Sequence, residues 1–244
     1  MDKVIVITGA GAGLGKHLAK RFAADGDKVV LLGRTKSKVD AIAAEIGENA
    51  AAFGCDVTSP DSVRDAFAEI AEQHGKIDVL INNAAIYEPF EIEKASDAQI
   101  IGSLMTNLAG PIFTVRAALP LMDAGGHIIN LSSESVETPF AMMSLYQSSK
   151  AGLERFTQAL KEEVGGRGIR VTTVRAGQMF DEEKTFDIDP AIGQQFAMEC
   201  AKRGIDLMNR PITHYSSVAE LFHTLVNLPA DLQTPVVTLE AYRA

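Results

Sequence analysis

Short apolar runs alternate along this chain with stretches whose apolar positions recur every three or four residues. Residues 4–7, Val-Ile-Val-Ile, form a continuous apolar run of the kind a central parallel strand shows when both its faces are buried. Residues 28–32, 50–53, 78–85, 128–131, 169–174 and 235–239 read as six further strands or strand ends. Between them, residues 16–23, 39–46, 100–121, 146–164 and 218–226 read as helices. Another helix opens at Ser59-Pro60, with Ser59 as N-cap, Pro60 in the first turn, and Val63, Phe67 and Ile70 at helical spacing. In the helix over 100–121, Pro111 cannot donate to the carbonyl of Asn107 and Gly110 loosens the same turn, so a local bend is expected. Leu153, Phe156, Leu160 and Val164 form one stripe, expected to pack on a sheet. Strand and helix alternate over the whole length without a linker, repeat or low-complexity segment, which predicts one α/β domain over 1–244.

Composition narrows the function. Of the 244 residues 46% are apolar, ample for a core, and the net charge of −9 excludes general nucleic-acid or anionic-membrane binding while leaving room for a local basic pocket. The five histidines show no close pairing, and Cys55 and Cys200 are far apart, so neither a metal site nor a disulfide framework is indicated. No uninterrupted apolar run of about eighteen residues occurs, so no membrane span is expected. Met1-Asp2-Lys3 leads straight into the first strand, which leaves no signal peptide and gives a cytoplasmic expectation.

The first strand runs into Thr8-Gly9-Ala10-Gly11-Ala12-Gly13-Leu14-Gly15 and then a helix. Glycines let the backbone turn tightly and approach a pyrophosphate, whose charge is met by the unpaired N–H groups of the helix N-terminus. An ordinary strand-to-helix turn rarely needs four glycines in seven residues. A P-loop would need Gly at Ala10 and Ser or Thr at His17, and G-x-G-x-x-G fails at Leu14 or Lys16. The pattern that remains is T-G-x-x-x-G-x-G. Further along, Tyr146 and Lys150 share a helix face at i and i+4, and Ser133 ends the strand thirteen residues before Tyr146. A lysine ammonium beside a phenol favours the phenolate and lowers its pKa, which suits Tyr146 to acid–base work. In isolation a Tyr-x-x-x-Lys pair is more often lysine stem packed on a ring.

Taken together, the glycine motif, Ser133, Tyr146 and Lys150 resemble the classical short-chain dehydrogenase/reductase family over about three-quarters of the chain. The resemblance implies a Rossmann-type doubly wound α/β fold with a parallel sheet of about seven strands and helices on both faces. It implies hydride transfer between a nicotinamide cofactor and a small-molecule carbonyl or secondary alcohol. Tyr146 would be the general acid or base, Ser133 would hydrogen-bond the reacting oxygen, Lys150 would tune Tyr146 and hold the nicotinamide ribose, and Asn107 would hold a relay water. Asn107 reads equally as the stabiliser of a helix irregularity. For the cofactor the family positions are Gly9, Gly13, Leu14 and Gly15 at the pyrophosphate, Asp56 and Val57 at the adenine, and Asn83 and Ala84 along the groove. Tyr146, Lys150, Gly177 and Met179 stand at the nicotinamide end. Asp56 reads equally as a local loop cap. Where an NAD-binding unit commonly has an acidic residue after the second strand, this chain has Gly33 followed by Arg34, a guanidinium suited to a 2′-phosphate, so NADP(H) is favoured over NAD(H). Lys36 and Lys38 would be auxiliaries to Arg34 in that arrangement, and read otherwise as solvated loop charges, the reading favoured for them.

Three departures from the family pattern stand out: Ala85 in place of Gly, Ala176 in place of Pro, and Asp181 in place of a Thr. Residues 180–211 are expected to form the substrate lid. Its acidic start, Asp181, Glu182 and Glu183, reads with Glu134 and Glu137 as solvated loop charge, followed by apolar Phe186, Ile188, Phe196 and Met198. A homodimer or homotetramer is implied by analogy. The competing readings are an NAD-dependent alcohol dehydrogenase, a sugar-nucleotide epimerase or dehydratase, and a non-catalytic dinucleotide sensor. The glycine spacing and short C-terminal part argue against the second, and the intact tetrad against the third.

Overall fold

A computed structural model of the chain describes residues 2–183 and 188–242. The apolar runs become strands β1 (Val4–Thr8), β2 (Lys28–Gly33), β3 (Ala50–Gly54), β4 (Val79–Asn82), β5 (His127–Ser133) and β6 (Arg170–Ala176). They alternate with helices α1 (Gly13–Ala24), α2 (Lys36–Ile46), α3 (Pro60–His74), α4 (Asp97–Leu104), α5 (Gly110–Ala118) and α6 (Ser144–Gly165). The lid region holds helix α7 (Pro190–Ala201) and is bracketed by a two-stranded pair, β7 (Met179–Phe180) with β8 (Thr213–His214). Helix α8 (Tyr215–Val226) and strand β9 (Val236–Thr238) close the chain.

Seven strands form one parallel sheet in the order β3-β2-β1-β4-β5-β6-β9. Successive side chains on a strand point to opposite faces. Ile5 and Ile7 therefore join α1 and α8 through Leu18, Phe22 and Phe222, while Val4 and Val6 join α3, α5 and α6 through Ile70, Val115 and Leu160. Every residue of β1, β4 and β5 is buried, which explains the near-continuous apolar sequence of β1 and β4, while β5 buries polar His127, Asn130, Ser132 and Ser133 as well. Each large apolar side chain among them contributes roughly 1.5–3 kcal/mol of burial. The strand order reverses between β1 and β4, opening a crevice over the carboxyl ends of the strands where ligands bind in such sheets.

The bend expected near Pro111 takes a definite form. Met105–Ala109 winds as a single π-helical turn between α4 and α5, with the Gly110 N–H donating to the Met105 carbonyl. Proline at 111 has no N–H to continue the α-pattern, so the wider turn follows from its chemistry. The continuous helical stretch Asp97–Leu121 is long and apolar enough to cross a membrane, with a mean hydropathy of 1.2 over its best window. Here its Val115 and Ala118 pack in the core with Leu80 and Ile128, and its π-turn places Asn107 at the site. At α3, Ser59 accepts from the Ser62 N–H as expected of an N-cap.

Candidate active site

Two connected cavities open on the crevice. One, of about 850 Å³, runs along the β1–α1 turn and is lined by Gly9, Gly13, Arg34, Asp56, Val57, Asn83 and Ala84. The other, of about 680 Å³, is lined by Leu14, Ser133, Tyr146, Lys150, Gly177 and Met179. Asn83, Ala85 and Tyr215 line both.

The first cavity has the backbone of an anion-binding groove. Helix α1 starts after Ala12, which offers no side-chain cap, so its first N–H groups remain for an anion. Gly9 has φ 66°, a left-handed conformation that a side chain would strain. Gly15 lines neither cavity. A Cβ there would lie 2.4 Å from the Gly9 carbonyl oxygen, so glycine at this position lets α1 pack against its own turn. Arg34 lines the groove and makes no ion pair among the described residues. Lys36 pairs with Asp40 at 2.6 Å, whereas Lys38 lines the groove, so the two lysines divide between the solvated and the binding reading. Asp56 lines the groove, and its carboxylate accepts from the N–H and hydroxyl of Thr58 at 2.9 and 2.7 Å, the local cap the sequence allows.

Thr8 was legible only as part of the glycine pattern, yet it fixes the groove. Its hydroxyl accepts from the N–H groups of Asn83 and Ala84, both at 3.0 Å, joining the ends of β1 and β4. Asn83 in turn donates from its side-chain amide to the Thr8 carbonyl at 3.0 Å. Ala85 stands where the family has glycine. Met142 is the only non-glycine with positive φ among the described residues, so Ala85 needs no glycine-like backbone.

In the second cavity the chain brings Ser133, Tyr146 and Lys150 together. Ser133 ends β5, and its Oγ accepts from the Ser135 N–H at 3.1 Å, which leaves the hydroxyl proton to point elsewhere. Lys150 is 2% exposed, lies 5.9 Å from the Tyr146 ring centroid and donates to the Leu131 carbonyl at 2.7 Å. Burial lowers its pKa to about 8. Tyr146 differs from the sequence expectation. As a residue it is half-buried, but protein surrounds its phenol densely, and that burial pushes the pKa up to about 12. The Ser133 hydroxyl pulls the value down and the Glu134 carboxylate pushes it further up. Desolvation outweighs any help from Lys150, whose ammonium is turned to Leu131 and is itself disfavoured by burial.

Asn107 is fully buried in the π-turn. Its Oδ1 accepts from the Ile86 N–H at 2.8 Å and its Nδ2 donates to the Ile86 carbonyl at 2.9 Å, with Ser149 Oγ at 3.3 Å. These bonds bear out the structural role, pinning the segment after β4 to the helix that neighbours α6.

Two of the five acidic groups read as solvated, Glu134 and Asp181, are not. Glu134 lines the second cavity and pairs with Arg210 from the lid. Asp181 is 8% exposed, lines the first cavity, lies 3.7 Å from His17 Nδ1 and has one carboxylate oxygen with no hydrogen-bond partner among the described residues. Glu137, Glu182 and Glu183 are exposed and pair with Arg175, His214 and Lys16. Behind Ser133, Arg175 grips Glu154 through two bonds of 2.9 and 2.7 Å, and the Ser132 hydroxyl donates to Glu154 at 2.7 Å. No sequence pattern announces that triad, whose members come from β5, α6 and β6. Phe186 lies outside the described residues. Tyr87, unremarked in the sequence, lines the second cavity and meets the Tyr146 ring edge-on at 5.2 Å.

The model of the short chain dehydrogenase family matches residues 3–182. Carbonyl reductase family member 4 of Danio rerio is 31% identical over 240 residues, covering 98% of this chain and 94% of its own. The NADP-dependent 3-hydroxy acid dehydrogenase YdfG of Salmonella typhi is 34% identical over 177 residues, 71% of each chain. Among solved structures, a short chain dehydrogenase of Burkholderia cenocepacia in complex with NADP is 30% identical with a TM-score of 0.82, covering 98% of this chain and 96% of its own.

Proposed function

The chain belongs to the short-chain dehydrogenase family and is an NAD(P)-dependent oxidoreductase, and from that premise we propose that it uses NADP(H) with a small carbonyl or secondary alcohol, Tyr146 serving as acid and base. The observation that carries the cofactor preference is Arg34, which lines the groove without an ion-pair partner among the described residues, where an acidic residue would select NAD. The dinucleotide fits the residues present: the uncapped N-terminus of α1 for the pyrophosphate, Asp56 and Val57 for the base, Asn83 and Ala84 along the groove, and Gly177 and Met179 at the nicotinamide end. When bound, the nicotinamide supplies or accepts the hydride.

The protein's part is protons and position. With its pKa raised to about 12, Tyr146 stays protonated at neutral pH and donates to the carbonyl oxygen in reduction. Ser133, held by the Ser135 N–H, directs its hydroxyl to the same oxygen as charge develops there. Lys150, anchored on Leu131, holds the ribose and keeps a positive charge near the phenol below about pH 8. Asn107 shapes the π-turn from which a relay water would be held. Residues of the lid, α7 among them, close over the substrate. A homodimer or homotetramer is part of the same reading, by analogy with the family.

Thermal unfolding at matched NADPH and NADH concentrations tests the cofactor assignment, since a ligand that binds the folded state raises the midpoint according to its affinity. NADPH should give the larger shift. A larger shift with NADH would overturn the role of Arg34 and favour alcohol oxidation with NAD, and no shift with either would favour a different function for the groove.

A further inference from the structure

The walls of the second cavity are mostly apolar, from Tyr87, Phe140, Phe196 and Leu207, yet they carry one carboxylate and one guanidinium, Glu134 and Arg210, bonded to each other. Glu134 follows Ser133 in a short 3-10 turn that the Ser133 hydroxyl caps, so its place relative to the reacting oxygen is fixed. The Arg210 guanidinium lies 5.2 Å from the Phe140 ring centroid. Both side chains are largely enclosed, 16% and 28% exposed. One terminal nitrogen of Arg210 serves Glu134, and its other N–H groups have no hydrogen-bond partner among the described residues. Both charges reach the phenol of Tyr87, whose titration Glu134 raises and Arg210 lowers, and the Tyr87 ring meets that of Tyr146. The pair therefore stands beside the reacting groups, within one cavity.

Enclosed opposite charges constrain what binds beside them. A ligand with a single charge draws off one partner and strands the other, which is costly in a water-poor site. A neutral ligand gains nothing from the pair. A ligand carrying both charges satisfies both, because each protein charge exchanges one partner for another or shares it. Resting on the oxidoreductase reading above, we propose that Glu134 and Arg210 recognise a dipolar substrate, a β-hydroxy-α-amino acid or its β-keto counterpart, with the ammonium at Glu134 and the carboxylate at Arg210. The β-oxygen then lies at Ser133 and Tyr146. The reaction balances as secondary alcohol plus NADP⁺ giving ketone, NADPH and one proton: the β C–H bond breaks with its electron pair and the hydroxyl proton leaves through Tyr146.

The test compares compounds that share a secondary alcohol: threonine in its four stereoisomers, 3-hydroxybutanoate, 1-amino-2-propanol and 2-butanol. NADPH formation and calorimetric binding are measured for the enzyme with NADP⁺. One threonine isomer should exceed each of the other three compounds in kcat/KM by about 10-fold or more, as expected for a charge-assisted contact. Glu134→Gln should lower kcat/KM and affinity for threonine and 1-amino-2-propanol by about 10–100-fold while sparing 3-hydroxybutanoate. Arg210→Gln should do so for threonine and 3-hydroxybutanoate while sparing 1-amino-2-propanol. Equal use of 2-butanol and threonine, or an equal fall for all compounds in both variants, would overturn the proposal and leave the pair as a lid latch. If all four compounds are inert while NADPH still stabilises the protein and a simple aldehyde is reduced, the dipolar assignment fails and the oxidoreductase reading stands. If nothing turns over and NADPH gives no stabilisation, both fail.

Discussion

Replacing Lys150 with methionine should change how stability depends on pH. Lys150 is 2% exposed, and burial lowers its pKa from 10.5 to about 8. A lysine whose folded value lies below its unfolded value binds fewer protons when folded. Below about pH 8 both states are protonated and the folded state bears the whole desolvation penalty. Between about pH 8 and 10.5 the folded protein has released a proton that the unfolded chain still holds, so the penalty is lifted and stability rises with pH. Integrating the shift, wild type should gain about 2.5 kcal/mol relative to Lys150→Met between pH 7 and pH 10. Every other titrating group is common to both proteins and cancels in the difference. The hydrogen bond to the Leu131 carbonyl is lost at all pH values and contributes a constant offset. Urea unfolding of both proteins at fixed protein concentration, repeated at intervals over this range, gives the difference curve. A difference that stays flat would show that Lys150 keeps an ordinary pKa, and would refute the claim that burial dominates at this site.

Other expectations follow from particular contacts. Gly15→Ala places a methyl 2.4 Å from the Gly9 carbonyl oxygen and 2.9 Å from the Ala10 Cα, backbone atoms that cannot swing aside. It should cost on the order of 3 kcal/mol by chemical denaturation and abolish NADPH-induced stabilisation, whereas a loss below about 1 kcal/mol would contradict the packing account. Arg34→Ala should reduce the preference for NADPH over NADH by about 10–100-fold in Kd, and an unchanged ratio would place the 2′-phosphate elsewhere. The reductive kcat/KM should stay level to about pH 8 and decline above it as Lys150 loses its proton, while the oxidative rate should climb with pH as the phenolate becomes available. A reductive rate that rises through pH 8 would reverse the roles assigned to the two groups.

The frame of the molecule was written in local pattern. Val4, Ile5, Val6 and Ile7 are apolar in succession because β1 is buried on both faces, and Pro111 marks the helix irregularity because it lacks a donor. The glycine turn with Ser133, Tyr146 and Lys150 was legible because each residue serves chemistry that few other residue types provide at that spacing. What sequence could not supply depends on distant elements meeting. Helix α7 lies in a segment read only as a lid, and the β7–β8 pair brackets that segment, although Asp189-Pro190 is a capped helix start. Glu134 looked like any loop carboxylate until Arg210 arrived from 76 residues away. The Tyr146 pKa went the other way for the same reason. The i, i+4 spacing fixes how near Lys150 can come, but the burial that decides the sign is made by the loop and lid segments around Phe140 and Leu207, and the hydrogen bond that turns Lys150 aside by β5.

Tyr146→Phe tests the central claim most directly, because the ring and its packing against Tyr87 remain and only the proton-bearing oxygen is lost. Turnover of carbonyl and alcohol substrates should fall to background in the purified variant while NADPH still raises its unfolding midpoint as it does for wild type. Retained turnover would contradict the assignment of Tyr146 as the acid and base.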